Sequence, residues 1–300
     1  MEIKQLRSFI AVVKYGGFTK AAEKLYLAQP TISFHVRALE EELHTQLLLR
    51  NTKNICITEK GHELFETAIN IVNLEDMLLK KWQNGGETTI QLGVSTIPSG
   101  YLLPKIIPVF RAKYPSVRFI INQSDSKEIL KGLANGVYDV ALTGMKTDRN
   151  AIEYYTLCED RLELITPNTE EYRQYEKDQF PVGRLQTLPF ILREEGSASG
   201  LYASEILESL KLDETKMNVT AKLNDQESIK NLVAAGVGVS IISGRAAANY
   251  VKDGLLLSFC LPSDVKRNFY MAKRRNKILS SEAEKFIQFV QTFFVNGQAN

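Results

Sequence analysis

Outside a core, the side chains best placed for chemistry in this 300-residue chain lie between positions 29 and 53. At about 100° per residue, Pro30, Phe34, Arg37 and Glu41 fall on one side of a helix, with Thr31 and Ser33 on its flanks. Ile32, Val36, Leu39 and Leu43 form an apolar stripe on the other side, which predicts a core-facing helix with a polar and aromatic outward face. Further on, Arg50 and Lys53 sit around an Asn-Thr-Lys-Asn turn, with Ile55 and Ile57 alternating behind it. Two short extended pieces around a basic tip are suited to touch phosphate or a minor groove. The residues for catalysis or metal binding are missing. His35, His44 and His62 stand nine and eighteen residues apart, and Cys56, Cys158 and Cys260 have no paired spacing. His35, beside Phe34, is expected to meet phosphate, and Glu40, Glu41 and Glu42 to form a solvated face. With no phosphate-cradling glycine loop and no serine elbow, no enzyme activity, cofactor or metal is expected.

The elements that position these groups follow from local signals. Leu6, Phe9, Ile10 and Val13 predict a helix over 3–14 that stops at Gly16-Gly17. Residues 18–25 predict a short helix burying Ala21, Ala22 and Leu25, residues 26–29 a turn, and Pro30 lies in the first turn of the next helix, where a missing N–H costs nothing. A short helix, a tight turn and a longer helix make the arrangement used to read the DNA major groove, although helical hairpins in ordinary cores share the pattern. Thr58 is a candidate N-cap for a helix running to Trp82. Its seam of Leu64, Ala68, Ile71, Leu78 and Trp82 is reinforced by Phe65, Val72 and Leu79, with Glu75 as the polar break. So wide a stripe predicts a dimerising contact, the alternative being packing on its own domain. At about 1.5 Å per residue such a helix spans roughly 35 Å, comparable with one DNA turn between half-sites.

Composition bounds the rest. Hydrophobic residues at 44% and charged residues at 24% are globular values, and a net charge of +2 places any nucleic-acid-binding charge locally. With no cleavable leader and no apolar run of membrane-spanning length, a cytoplasmic chain without membrane attachment is expected. After Asn84-Gly85-Gly86 the pattern becomes IQLGV, a helix through Phe110, VRFII, a helix at 127–135 and DVALT. LELIT, FIL, NVTAKL, VSII, LLLSF and NFYMA follow with helices between them, and 281–295 closes the chain. This alternation predicts crossover units on parallel sheets, in about two hundred residues that suggest two α/β lobes with a cleft between them.

In this order the chain resembles the LysR-type transcriptional regulators over essentially its whole length. The resemblance is most specific in FTKAAEKLYLAQPTISFHVRALEEEL, in LLLR and ITEKG, and it extends to VFRAKYPSVRF, GVYDVAL, ILREEGS and AAGVGVSIIS. It implies an α+β multidomain protein: a winged helix-turn-helix over 1–58, a long dimerisation helix and hinge over 59–87, and a two-lobed α/β, periplasmic-binding-protein-like effector domain over 88–300. Lobe I would take 88–161 and 266–300, and lobe II 162–265. The resemblance implies that Gln29, Pro30, Thr31, Ser33 and Arg37 lie at the major groove of double-stranded DNA and that Arg50 reaches the backbone or minor groove. It implies a small-molecule effector cleft lined by Ser95, Thr96, Thr143, Gly144, Ser197 and Ser199, with Gln226 as a further contributor. Hydroxyls and N–H groups at helix starts suit a small anion, although each serine could equally be a plain helix cap. Asp225 reads as an N-cap. The family further implies a homodimer assembling to a homotetramer, effector-dependent DNA binding, and contact with RNA polymerase. Two departures stand out at the reading helix. Ala28 replaces the usual hydroxyl, and Phe34 replaces a polar residue and is expected against a thymine methyl or sugar surface. A third is Gly200, where relatives often carry Arg. Its loop therefore lacks a fixed cation, which favours a small or weakly charged effector. A solute-binding protein or an enzymatic α/β domain is the alternative, disfavoured by the missing export signal and by the nearly ninety residues that precede the sensor.

Overall fold

Helix ends as well as helix faces are written into the first ninety residues. The computed structural model describes residues 1–50, 55–83, 88–148, 150–194 and 197–295, without the side chains of Arg50, Lys80, Lys81, Gln83 and Val295. The chain divides into two units, Met1–Thr88 with Asn276–Ser280, and Thr89–Arg275 with Ser281–Asn300. In the first, α1 (Ile3–Tyr15) ends at Gly16, which takes the left-handed φ of 70° that glycine tolerates. Helix α2 (Phe18–Leu25) ends on Tyr26 at φ 54°. Then come α3 (Gln29–Glu42), an antiparallel ribbon of β1 (Leu48–Arg50) and β2 (Ile55–Ile57), and α4 (Glu59–Gln83). The Thr58 hydroxyl accepts the Gly61 N–H at 2.9 Å, which makes Thr58 the cap of α4. A Cβ at Gly61 would lie 2.2 Å from the Leu47 carbonyl oxygen, so only glycine lets α4 start against the ribbon.

Leu6, Phe9, Val12, Ala21, Ile32, Val36 and Leu39 are all at most 1% exposed and form the core of this unit. The predicted stripe loses its last member. Leu43 is 40% exposed, because α3 ends at Glu42 and the chain turns away at that residue. The seam of α4 splits in two. Leu64, Phe65, Ala68, Ile71 and Val72 pack into the unit's own core, while Leu74, Leu78, Leu79 and Trp82 stay exposed, Trp82 at 72%. Between the halves, Arg7 donates to Glu75 at 3.0 Å and to Asp76 at 2.5 Å, so the polar break in the stripe is where α1 is tied to α4.

The second unit opens with β3 (Thr88–Ser95), a single π-helical turn (Pro98–Leu102), α5 (Leu103–Lys113), β4 (Val117–Ser124), α6 (Ser126–Ala134), β5 (Val140–Thr143) and β6 (Ile152–Asp160). It continues with β7 (Leu162–Pro167), α7 (Glu170–Arg173), β8 (Pro189–Arg193), α8 (Ala198–Ser209), β9 (Asn218–Leu223), α9 (Gln226–Ala234), β10 (Ser240–Ser243) and α10 (Gly244–Lys252). Strands β11 (Leu256–Phe259) and β12 (Arg267–Arg274) and helix α11 (Ser281–Val295) complete it. One sheet runs β4-β3-β5-β12-β6; the other strands form β10-β7-β11 and β8-β9, bridged where Phe190 pairs with Val239. The sheets are mixed, not parallel as expected. Pairs β3–β5 and β8–β9 are parallel, but β12 is antiparallel to β5 and β6, and β7 is antiparallel to β10 and β11. The reason is topological. The chain leaves the first sheet after β6 and returns to it as β12, so the crossing strands run against their neighbours. No described helix is long and apolar enough to cross a membrane.

Candidate functional site

The outward face of α3 is built by the turn that precedes it. Ala28 holds the extended N-cap conformation, φ −73° and ψ 140°, with no side-chain cap, and its carbonyl accepts the N–H groups of Thr31 and Ile32 at 3.0 and 3.3 Å. Gln29, Pro30, Ser33, Phe34 and Arg37 together line a shallow groove of about 620 Å³. Phe34 is 67% exposed, an outlay of apolar surface that nothing in the unit covers among the described residues. Thr31 is half-buried on the flank and does not line the groove. Arg37 Nε donates to Glu41 Oε1 at 2.7 Å, one turn away and equally solvent-facing.

His35 does not face outward. It is buried and shares a 2.7 Å hydrogen bond between Nδ1 and the Ser8 hydroxyl, because it lies three residues after Ile32 and four before Leu39, on the core stripe. In the ribbon, Arg50 pairs with Ile55 through the backbone; its side chain, and Lys53 entirely, lie outside the described residues. Sequence reasoning passed over Tyr26, which is 94% exposed at the tip of the turn entering α3. An aromatic residue in a turn read only as a spacer was the available signal.

In the second unit a cavity of about 290 Å³ opens where strand ends and helix starts meet. Ser95 and Thr96 enter it from the end of β3, Gly144 from beyond β5, and Ser197 and Ser199 from the start of α8, so five expected residues are brought together. Ser197 also caps α8, accepting the Gly200 N–H at 3.3 Å, so the cap and cavity readings hold for the same side chain. Thr143 and Gln226 do not line the cavity. Thr143 is fully buried, with its hydroxyl bonded to the Met145 backbone at 3.3 Å, since every residue of β5 is covered. Gln226 sits behind the wall, where its Nε2 donates to Ser199 Oγ at 3.2 Å. Asp225 is the N-cap of α9, and the hydrogen bonds it accepts from the Ser228 N–H and hydroxyl hold its carboxyl below the usual range. Asp125, at the cavity, caps α6 in the same way, accepting the Glu128 N–H at 2.9 Å.

The cavity also contains cations that were not anticipated. Arg193, the last residue of β8, and Arg267, the first of β12, both line it, so the expectation of a cleft without a fixed cation fails. The charge comes from strand ends, not from the loop at Gly200. Arg267 and Asp160 are each 1% exposed. Arg267 Nε donates to Asp160 Oδ2 at 3.0 Å, Nη2 donates to the same oxygen, and Nη1 donates to Ser199 Oγ at 2.8 Å. The Ser243 hydroxyl donates to the other Asp160 oxygen at 2.9 Å. This pair therefore joins the strand that leaves the first sheet to the strand that returns. Arg193 is different. It is buried, and its Nε and Nη1 have no hydrogen-bond partner among the described residues. Burial holds its guanidinium pKa below the ordinary arginine value, against the opposing pull of Glu194, Asp225 and Asp125.

Residues 3–62 match the family model described as "Bacterial regulatory helix-turn-helix protein, lysR family", and residues 83–294 match that of the "LysR substrate binding domain". The chain is 30% identical over 307 residues to a "Probable RuBisCO transcriptional regulator" of Trichormus variabilis, covering 99% of this chain and 90% of that protein. It is 31% identical over 305 residues to a protein of the same description from Cyanophora paradoxa, covering 97% and 92%. The solved structure of full-length BenM is similar at a TM-score of 0.59 and 25% identity, covering 99% of this chain and 98% of that one.

Proposed function

The chain belongs to the LysR family of bacterial helix-turn-helix transcriptional regulators, and from that premise we propose how its own residues carry the work. Gln29, Pro30, Ser33, Phe34 and Arg37 enter the major groove of an operator. The observation that carries this reading is their convergence on one solvent-facing groove of α3, opposite the core stripe. Thr31 supports the flank, and Arg50 and Lys53 in the wing contact the backbone or minor groove. The exposed Leu74, Leu78, Leu79 and Trp82 on α4 bury against a second copy. Two such dimers form a tetramer that spans two operator sites in the cytoplasm and contacts RNA polymerase.

The cavity holds a small effector through Ser95, Thr96, Gly144, Ser197 and Ser199. Its occupancy shifts the equilibrium between arrangements of the two lobes and so the spacing of the DNA-bound dimers. The Ser8–His35 hydrogen bond is buried in the helical core and neither residue lines the groove or the cavity, and the role is regulation, not turnover. Gel-shift and footprinting on the DNA upstream of the protein's own gene test the reading. A protected palindrome at moderate salt, with an extent that changes on effector addition, is the expected result. Absence of protection on any upstream DNA, together with turnover of a metabolite, would overturn it.

A further inference from the structure

Four cationic side chains of the second unit are buried, Arg193, Lys230, Arg267 and Arg274, and three of them differ in how their donors are met. Lys230 Nζ has three acceptors, Glu227 at 2.7 Å, the Tyr101 hydroxyl at 3.2 Å and the Ala246 carbonyl at 3.1 Å. Arg267 is held by Asp160 and Ser199. Arg193 lines the cavity with two guanidinium N–H groups unpartnered among the described residues. A buried N–H group left without an acceptor is costly even where carboxylates act on it from nearby, as Glu194, Asp225 and Asp125 do here, and folded chains keep one where something else completes it. Its surroundings point to what that is. The starts of α6 and α8 reach the same cavity at Ser126 and at Ala198, so backbone N–H groups and the positive ends of two helices converge there with the guanidinium. The carboxylate at the site, Asp125, is already occupied in capping α6. Arg267 is paired with Asp160, which leaves Arg193 as the cavity cation with N–H groups that lack acceptors among the described residues.

Position 200 explains why the charge sits here. A Cβ built on Gly200 would lie 3.2 Å from the Arg193 Cβ, so the side chains at 193 and 200 draw on the same space. We infer that Arg193 is the anion receptor of this cleft and that the effector is a compact oxyanion, a short carboxylate or a tetrahedral inorganic anion, bound by the Arg193 guanidinium and the starts of α6 and α8. The inference rests on the effector-binding reading above. The directed N–H donors of a planar guanidinium favour the directed lone pairs of an oxyanion over a spherical ion such as chloride. The cavity leaves little free space between its polar walls, which favours an anion of a few heavy atoms over an aromatic acid or a nucleotide.

The test uses the full chain in an oxyanion-free chloride buffer. Acetate, sulfate and phosphate are titrated separately at constant ionic strength while thermal unfolding is followed. At least one raises the Tm saturably, by about 5–10 °C at ~100 times its Kd, and chloride does not. The arm that saturates tells a planar carboxylate from a tetrahedral anion. In Arg193→Met the shift disappears, and the anion-free Tm is equal to or above that of the parent, since a buried guanidinium with two N–H groups lacking acceptors has been removed. Arg193→Lys keeps a weaker shift. No shift with any of the three anions, an unchanged midpoint in Arg193→Met, or an anion-free Arg193→Met that is less stable or unfolded would each overturn the proposal; the last would mark Arg193 as a structural arginine. Gel shifts on upstream DNA run in parallel keep the two readings apart. DNA retained by parent and variant alike, with no oxyanion effect, refutes the anion site alone, whereas loss of DNA binding by the parent refutes the regulator.

Discussion

Asp160→Asn separates what holds the second unit together from what its cleft binds. The carboxylate is 1% exposed and answers a guanidinium that is also 1% exposed, with the Ser243 hydroxyl and, at 3.7 Å, the partly exposed Arg245 Nε on its other oxygen. Asparagine preserves shape and one acceptor oxygen but removes the negative charge, leaving Arg267 charged in a nearly dry site. Breaking a buried pair from one side costs about 3–5 kcal/mol, and the retained acceptor places this variant near 3. For a unit of this size each kcal/mol moves the Tm by about 2–4 °C, so calorimetry should find its transition lowered by roughly 6–12 °C. Asp160→Leu combined with Arg267→Met removes both charges, and should recover at least half of that loss because the dominant cost is the lone charge, not the missing attraction. A drop under about 2 °C for Asp160→Asn would refute the pairing as described. A double variant no more stable than the single one would show that the site needs its polar groups for shape or water.

Arg37→Ala should weaken operator binding by about 5- to 150-fold at fixed salt, the worth of one good base contact, whereas Glu41→Gln, which frees Arg37 from its 2.7 Å partner, should strengthen it by up to about 5-fold; anisotropy titrations that find both changes neutral would remove Arg37 from the interface. Leu78→Glu, at a side chain that is 48% exposed, should lower the mass seen by light scattering while shifting unfolding by no more than about 0.5 kcal/mol; an unchanged mass would mean that α4 does not join two copies. Tyr155 has its phenol pushed up to about 12 by burial, by its hydrogen bond to Glu153 and by the charges of Glu153 and Glu284. A folded pKa above the unfolded value near 10 means that the neutral phenol contributes stability in full below pH 10 and loses it as pH rises through 12. Tyr155→Phe should therefore flatten the decline of the urea midpoint between pH 10 and 12, and an identical slope would refute the shift.

Local signals account for the elements that were legible. Helix α11 was expected over 281–295 and occupies Ser281–Val295, and α9 was expected from Gln226 and begins there, because a cap and a periodic stripe are both encoded within a few turns. Strand β6 went unread. Its burial follows no regular alternation, since it pairs with β12 across a register shift at Phe269 and Tyr270. His35 was misplaced by attention to its neighbour Phe34 when its angle around the helix already set it on the core side. Thr143 was expected at the cleft from the family resemblance and Gln226 as a further contributor, yet whether a side chain at a strand end or helix start opens inward or outward depends on the layer above it.

The two arginines show the limit most directly. Arg193 and Arg267 each read as ordinary polarity at the edge of a strand, and nothing within several residues distinguishes them. What separates them is a partner 107 residues away, Asp160, which reaches one and not the other. Gly200 alone implies a cleft short of one cation, on the premise that charge at a site belongs to one position of one loop. The space a side chain vacates at 200 adjoins the Cβ of 193, so the same charge can enter from the neighbouring strand with no trace in the loop motif. Charge at a binding site is thus a property of the volume around it. For this cleft, an effector chosen by the loop sequence would be weakly charged, while the one proposed from the cavity's guanidinium, with N–H groups lacking acceptors among the described residues, is an oxyanion.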